Sequence, residues 1–258
     1  MYTLHNDLRT LKACSLTCKA MFASTRHLIH QTLSLTLQNA ARAPTQEEKS
    51  HNRRKQSNDN LRFLPHMREQ GLLQYVRRVY IIDPSDIFTP KSLEYHLHHF
   101  QSLDRVHTLT IYRYSACTWA RHYNTCFVPF YSTLTSLTLL YALGGYRLLL
   151  EFALQFPSLQ NLCLEWCEDG HRPSPGVPVY PQSPPLSGHL RLAGYGALAQ
   201  ELMDISHGLP NGMNFRSIEL GHIYADKAQR VLNACAHSLG DLTIEPCGAG
   251  TRGLHFLS

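Results

Sequence analysis

One short pattern recurs from residue 76 to residue 244: apolar-x-x-apolar-x-apolar. It reads VRRVYI (76–81), VHTLTI (106–111), LTSLTL (134–139), LQNLCL (159–164), SGHLRL (187–192), FRSIEL (215–220) and LGDLTI (239–244). Only Ser187 breaks it, at the first position of its unit. The central apolar residues are Val79, Leu109, Leu137, Leu162, Leu190, Ile218 and Leu242, at intervals of 30, 28, 25, 28, 28 and 24. One or two such matches would arise by chance in a leucine-rich chain, but seven at a near-constant interval would not. Alternation with period two places the second and third apolar residues of each unit on one side of a short strand.

Repeats of about 20–29 residues with L-x-x-L-x-L-x-x-N/C are the signature of leucine-rich repeats. Two units carry the cysteine form: Leu159, Leu162 and Leu164 with Cys167, and Leu239, Leu242 and Ile244 with Cys247. Each unit is too small to bury its own apolar face, so it must stack on a neighbour. The expected fold is therefore α/β: a leucine-rich-repeat-like solenoid of short parallel strands plus helices, over 61–258. Helical spacing predicts return segments at 91–101, 147–156, 196–206 and 225–237, forming the convex side. A doubly wound α/β sheet also alternates strands and helices; the near-constant interval favours the solenoid.

The rest of the chain divides by composition. Leu4, Leu8, Leu11, Cys14, Cys18 and Phe22 recur at spacings of three and four, which predicts a helix with Asn6 or Asp7 as its cap. TLSLTL (32–37) alternates like a strand. Residues 38–60 (QNAARAPTQEEKSHNRRKQSNDN) offer no apolar face and read as a polar disordered insert. A second helix is expected over about 60–74, with Leu61, Leu64, Met67 and Leu72 or Leu73 on one side. The six prolines of HRPSPGVPVYPQSPP (171–185) read as a stiff insertion between repeats; their P-x-x-P spacing also suits an SH3-type ligand. After the last unit, LHFLS (254–258) looks like the start of another repeat, so the solenoid is expected to continue or to be capped by a partner.

Charge and motifs exclude several function classes. The chain carries 24 Lys+Arg against 19 Asp+Glu, dispersed rather than patterned, which does not call for nucleic acid. Arg53-Arg54-Lys55 sits beside Glu47, Glu48 and Asp59 and reads as a solvated cluster. Asp7, Arg9 and Lys12 interrupt any signal-peptide core, and Leu137–Leu154 contains Gly144, Gly145, Arg147 and Glu151, so no membrane span is expected. The eight cysteines then read as reduced thiols of a cytoplasmic or nuclear protein. GAGTRG (248–253) resembles a dinucleotide loop, but five residues follow it and a Rossmann unit does not fit. His96, His98 and His99, and the pair Cys14 and Cys18, lack the further ligands a closed metal site needs. Neither G-x-S-x-G nor a P-loop is present. No cofactor is expected, and no enzyme activity.

The opening LHNDLRTLKACSLTCKAMFASTRHLIHQTLSL resembles the C-terminal two-thirds of an F-box. The matching positions are Leu4, Asp7, Leu8, Leu11, Cys14, Leu16, Cys18, Lys19, Phe22 and Leu28. The polar insert, FLPHMREQGLLQYVRRVYI and the leucine-rich units that follow resemble the F-box proteins of mushroom-type fungi. The motif's usual L-P-x-E-[IL] opening is not in this sequence, so residues 1–37 are expected to be a helical F-box remnant. The resemblance implies a non-enzymatic substrate receptor of an SCF-type ubiquitin ligase. A Skp-type adaptor would be gripped by Leu4, Leu8, Leu11, Leu16 and Phe22. The same residues would equally serve to cap the apolar edge of the first repeats. The repeats would hold an unknown protein target through the side chains that point out between the buried ones: Tyr80, Thr110, Thr138, Cys163, Arg191, Glu219 and Thr243, with Tyr112 and Glu165 beside them and Arg78, Trp166 and Glu245 at the flanks. A stand-alone leucine-rich scaffold, or an F-box descendant without a ligase role, is the competing reading.

Overall fold

The computed structural model describes residues 12–13, 25, 28–36, 64–82, 100–113, 127–142, 146–167, 186–194, 213–223 and 225–245. These form eight strands: β1 (Thr32–Thr36), β2 (Arg78–Ile82), β3 (Thr108–Tyr112), β4 (Ser136–Leu140), β5 (Asn161–Glu165), β6 (Leu186–Ala193), β7 (Met213–Gly221) and β8 (Asp241–Glu245). They lie in one sheet in chain order. β1 runs parallel to β2, and each successive pair from β4 to β8 is parallel. The architecture is thus an α/β arrangement around a parallel sheet whose neighbours in space are neighbours in sequence. That order separates it from a doubly wound sheet, in which strand order reverses.

The chain divides into two compact units, residues 1–109 with 125–133, and residues 110–124 with 134–258. In the first, Leu33 pairs with Val79 and Leu35 with Ile81, all four buried. The strand ahead of the polar stretch therefore belongs to the same ladder as the strand after it. The carbonyl of Gln31 accepts the N–H groups of both Arg77 and Arg78 at 2.8 and 2.9 Å, and Arg77 passes the arrangement on by accepting from His107 and Thr108. Phe130 packs edge-on against Phe100 and Phe127, with ring centroids 6.3 and 6.0 Å apart, and all three are buried.

The helix expected over 60–74 is shorter and broken. α1 spans Leu64–Glu69, and a single 3₁₀ turn follows at Leu73–Tyr75. Gly71, at φ +63°, divides them. The N–H of Leu72 reaches the carbonyl of Met67 and that of Gly71 reaches Arg68, a Schellman ending that turns the chain off the helix axis. Leu64 and Leu73 are buried, and Met67 is half-buried.

In the second unit the repeat pattern becomes register. Leu137, Leu162, Leu190, Ile218 and Leu242 align across β4 to β8, as do Leu139, Leu164, Leu192, Leu220 and Ile244. Those of β4 to β7 are buried, each contributing roughly 1.5–3 kcal/mol. Leu242 and Ile244 are half-buried, because β8 has a described strand on one side only. α2 (Tyr146–Leu154) and α3 (Ala225–Cys235) lie in two of the predicted return segments. α3 buries Ala228, Val231, Leu232 and Cys235, a stripe at helical spacing.

Ser187 breaks the pattern because this unit enters the sheet differently. β6 starts at Leu186, which is buried and pairs with Met213; Gly188 then sits at φ +89°, and the register shifts by one residue between Gly188 and His189. Arg216 is the unpaired extra residue on β7, and it is exposed. Among the described residues no helix is long and apolar enough to cross a membrane.

Candidate functional site

Alternation puts every second residue of β4–β8 on the face opposite the buried leucines, and parallel register turns those residues into rows. One row reads Thr138, Cys163, Arg191, Glu219, Thr243. Five of the predicted target-contacting residues are therefore neighbours in space. The next row reads Leu140, Glu165, Ala193, Gly221, Glu245, and the preceding one Ser136, Asn161, His189, Ser217, Asp241.

Arg191 is the centre of the first row. Its Nε lies 2.6 Å from Glu165 Oε1 and its Nη1 2.7 Å from Glu219 Oε1. The first contact is an ion pair by distance, with the N–H not aligned on the oxygen. Burial opposes the Arg191 charge, but Glu165 and then Glu219 outweigh it and hold the guanidinium above its ordinary value. The Cys163 thiol donates to Glu165 Oε1 at 3.4 Å. Burial first, and the Glu165 charge second, push Cys163 up to about 12. A thiol so raised is a neutral hydrogen-bond donor near pH 7 and a poor nucleophile. In the preceding row, His189 Nδ1 and Ser217 Oγ are 3.0 Å apart.

The strands end on a regular device that was not anticipated. The residue four places after the central apolar position is left-handed in five successive units: Arg113 (φ 61°), Tyr141 (51°), Trp166 (53°), Gly194 (124°) and His222 (55°). Each donates its N–H to the end of the next strand: Arg113 to Leu140, Tyr141 to Glu165, Trp166 to Ala193, Gly194 to Gly221 and His222 to Glu245. The non-glycine residues pay about 1–2 kcal/mol each for this conformation, offset in part by the hydrogen bond. The fixed offset of four was the available sequence signal. Composition hid it, because large residues stand where glycine or asparagine is the usual left-handed residue.

These turn residues line the ends of the strands with rings. Tyr112 and Tyr141 are 5.2 Å apart between centroids, and Arg113 lies 5.9 Å above the Tyr112 ring. The rings of Trp166 and His222 approach to 5.4 Å, although Gly194 stands between them in the row. A Cβ on Gly194 would lie 3.2 Å from the Trp166 nitrogen and 3.9 Å from its ring. Glycine there suits the positive φ and the close approach to the Trp166 backbone.

The remaining expected residues are placed as follows. Tyr80 is 38% exposed on β2 of the first unit, opposite Ser34. Thr110 and Tyr112 stand half-buried on β3. Leu4, Leu8, Leu11, Leu16 and Phe22 lie outside the described residues, as do the insert 38–60, Cys14 and Cys18, His96 to His99, the proline-rich stretch and GAGTRG. Lys12 and Ala13, within the expected first helix, are helical and exposed. Cys167, the cysteine of the repeat pattern, is buried, and its thiol points to the carbonyls of Glu165 and Leu139 at 3.7 and 3.9 Å. Burial pushes it up to about 12. Among the described residues no three His, Cys, Asp or Glu side chains group to hold a metal. No protein-family model, curated protein or solved structure matches the chain.

Proposed function

We propose that this chain is a non-enzymatic protein-binding module, built as a leucine-rich-repeat-like solenoid, that presents a target to a ubiquitin ligase of the SCF type. The observation that carries the binding half is the in-register row Thr138–Cys163–Arg191–Glu219–Thr243. A row of half-exposed polar and charged groups, fixed by a rigid sheet, suits recognition of a protein surface. Its thiol is protonated, and the row offers no paired acid and nucleophile for chemistry.

The ligase half rests on the F-box-like pattern from Leu4 to Leu28. A Skp-type adaptor would dock on Leu4, Leu8, Leu11, Leu16 and Phe22, in the cytoplasm or nucleus. The receptor would then raise the local concentration of target near the ubiquitin-charged enzyme.

The test is co-purification of the full chain with a Skp-type adaptor. Retention is expected, with loss on the double substitution Leu8→Glu and Leu11→Glu. If the adaptor is not retained, even when an L-P-x-E-[IL] segment is supplied ahead of Met1, the ligase assignment fails and a scaffold role remains.

A further inference from the structure

Four of the five left-handed strand-end positions carry large side chains: Arg113, Tyr141, Trp166 and His222. The turn itself does not ask for them. Gly194 makes the same backbone bond, 3.0 Å to Gly221, with no side chain at all. Nor do they all fill the core: Tyr141 is 46% exposed, and Arg113 and His222 are exposed as well. An unfavourable conformation kept where glycine would spare it points to a use for the side chain.

At the β3–β4 end that use has a legible chemistry. The rings of Tyr112 and Tyr141 stand 5.2 Å apart, and the Arg113 guanidinium lies 5.9 Å from the Tyr112 centroid. All three residues belong to the second unit. Arg191 is held by Glu165 and Glu219. Among the described residues no carboxylate pairs with Arg113. The outward side chains beside it, Thr110 on β3 and Ser136 and Thr138 on β4, are half-buried and uncharged. A guanidinium above a ring keeps its donor edge for a carboxylate, which it grips through two N–H groups. The rings alongside favour apolar neighbours of that carboxylate. Arginine and tyrosine are also residues on which binding energy concentrates at protein interfaces. A polyanion such as nucleic acid suits this face less well. Its further phosphates would meet Glu165, Glu219, Asp241 and Glu245 along the same sheet. A single acidic residue meets Arg113 alone.

We infer that the Tyr112–Arg113–Tyr141 cluster, at the ends of β3 and β4, docks a segment of the protein target in which an aspartate or glutamate is flanked by apolar residues. This names the target chemistry of the binding module proposed above and rests on that reading.

The experiment uses the full chain and three fluorescein-labelled nine-residue serine–glycine peptides. Their centres are leucine–glutamate–leucine, leucine–glutamine–leucine and serine–glutamate–serine. Binding is read by fluorescence anisotropy. The first peptide is expected to saturate with a Kd below about 1 mM, and the other two to bind about three- to ten-fold more weakly. Arg113→Gln should bind the glutamate and glutamine peptides alike, within about two-fold. Arg216→Gln, at an exposed arginine of β7, should keep the wild-type contrast. Tyr141→Gly preserves the turn as Gly194 does, and should weaken the first peptide about three-fold or more with native circular dichroism retained. Equal affinity of the wild-type chain for the glutamate and glutamine peptides, a contrast that needs no variant, overturns the inference. So does a contrast that survives Arg113→Gln or is lost in Arg216→Gln. Adaptor retention is measured on the same preparations: absence of the glutamate contrast with the adaptor retained removes this inference alone, and the contrast without adaptor retention supports it while removing the ligase assignment.

Discussion

Gly188→Ala should be among the most damaging single-methyl changes in the described sheet. An added Cβ would lie 2.0 Å from the Gln160 carbonyl oxygen, 2.8 Å from its carbon and 3.0 Å from its Cα. The obstacle is backbone, so no rotamer change relieves it, and the starts of β5 and β6 must separate by roughly 1 Å or more. Three costs add. Alanine at φ +89° costs about 1–2 kcal/mol. The His189 N–H bond to Gln160, 2.7 Å long, is lost at about 1 kcal/mol. Leu190, buried immediately after the bulge, loses contacts worth roughly another 1 kcal/mol. The expected total is about 3–4 kcal/mol, a fall in Tm of roughly 6–16 °C for a chain of this size. The control is Gly71→Ala, which shares a positive φ of +63° but meets only the Gln74 side-chain nitrogen at 3.6 Å. It should cost about 1–2 kcal/mol, the backbone term alone. Urea unfolding followed by circular dichroism gives both values. If the two substitutions agree within about 0.5 kcal/mol, the scatter of ordinary surface changes, the close approach of β6 to Gln160 is not what demands glycine, and the reasoning fails.

Two further outcomes follow from burial. Leu164→Ala, in a fully buried ladder position, should cost about 2–5 kcal/mol, whereas Ile244→Ala, half-buried on β8, should cost less than half as much in the same denaturation assay; equal losses would show that β8 is covered as completely as β5. Cys167 is raised from 9.0 to about 12 in the folded chain, so above pH 9 the unfolded state releases a proton that the native state keeps, and stability is present below pH 9 and lost as pH rises towards 12. Cys167→Ala should make that alkaline decline shallower by up to about 1.4 kcal/mol per pH unit, read from urea midpoints between pH 9 and 11. An unchanged slope would mean that the thiol ionises normally in the fold.

The ladder was legible because its signal is periodic and local. Val79, Leu109, Leu137, Leu162, Leu190, Ile218 and Leu242 each sit in a strand, and alternation within the strand assigns Cys163, Arg191 and Glu219 to the opposite face without tertiary information. Register was less secure from the sequence alone, yet the constant interval already implies it. A slip of one residue would turn a whole leucine set towards solvent. The break in α1 was missed because helical spacing over 60–74 outweighed one glycine, although Gly71 carried the stop.

Other features required the folded chain. The sequence shows glutamate, arginine and glutamate at positions 165, 191 and 219, 26 and 28 residues apart; only parallel stacking brings them within 2.6–2.7 Å. It shows Trp166 and His222 in units separated by a third; only the stacked fold brings their rings to 5.4 Å, across Gly194. It shows Ser187 as a defect, where the fold inserts a bulge and uses Leu186 instead. The physical reason is common to all three. Composition and period act within one repeat and determine which side of a strand faces the core. What stands beside what on the other side depends on the stacking of several repeats, and on the few small residues, Gly188, Ala193, Gly194 and Gly221, that set how closely neighbouring units approach.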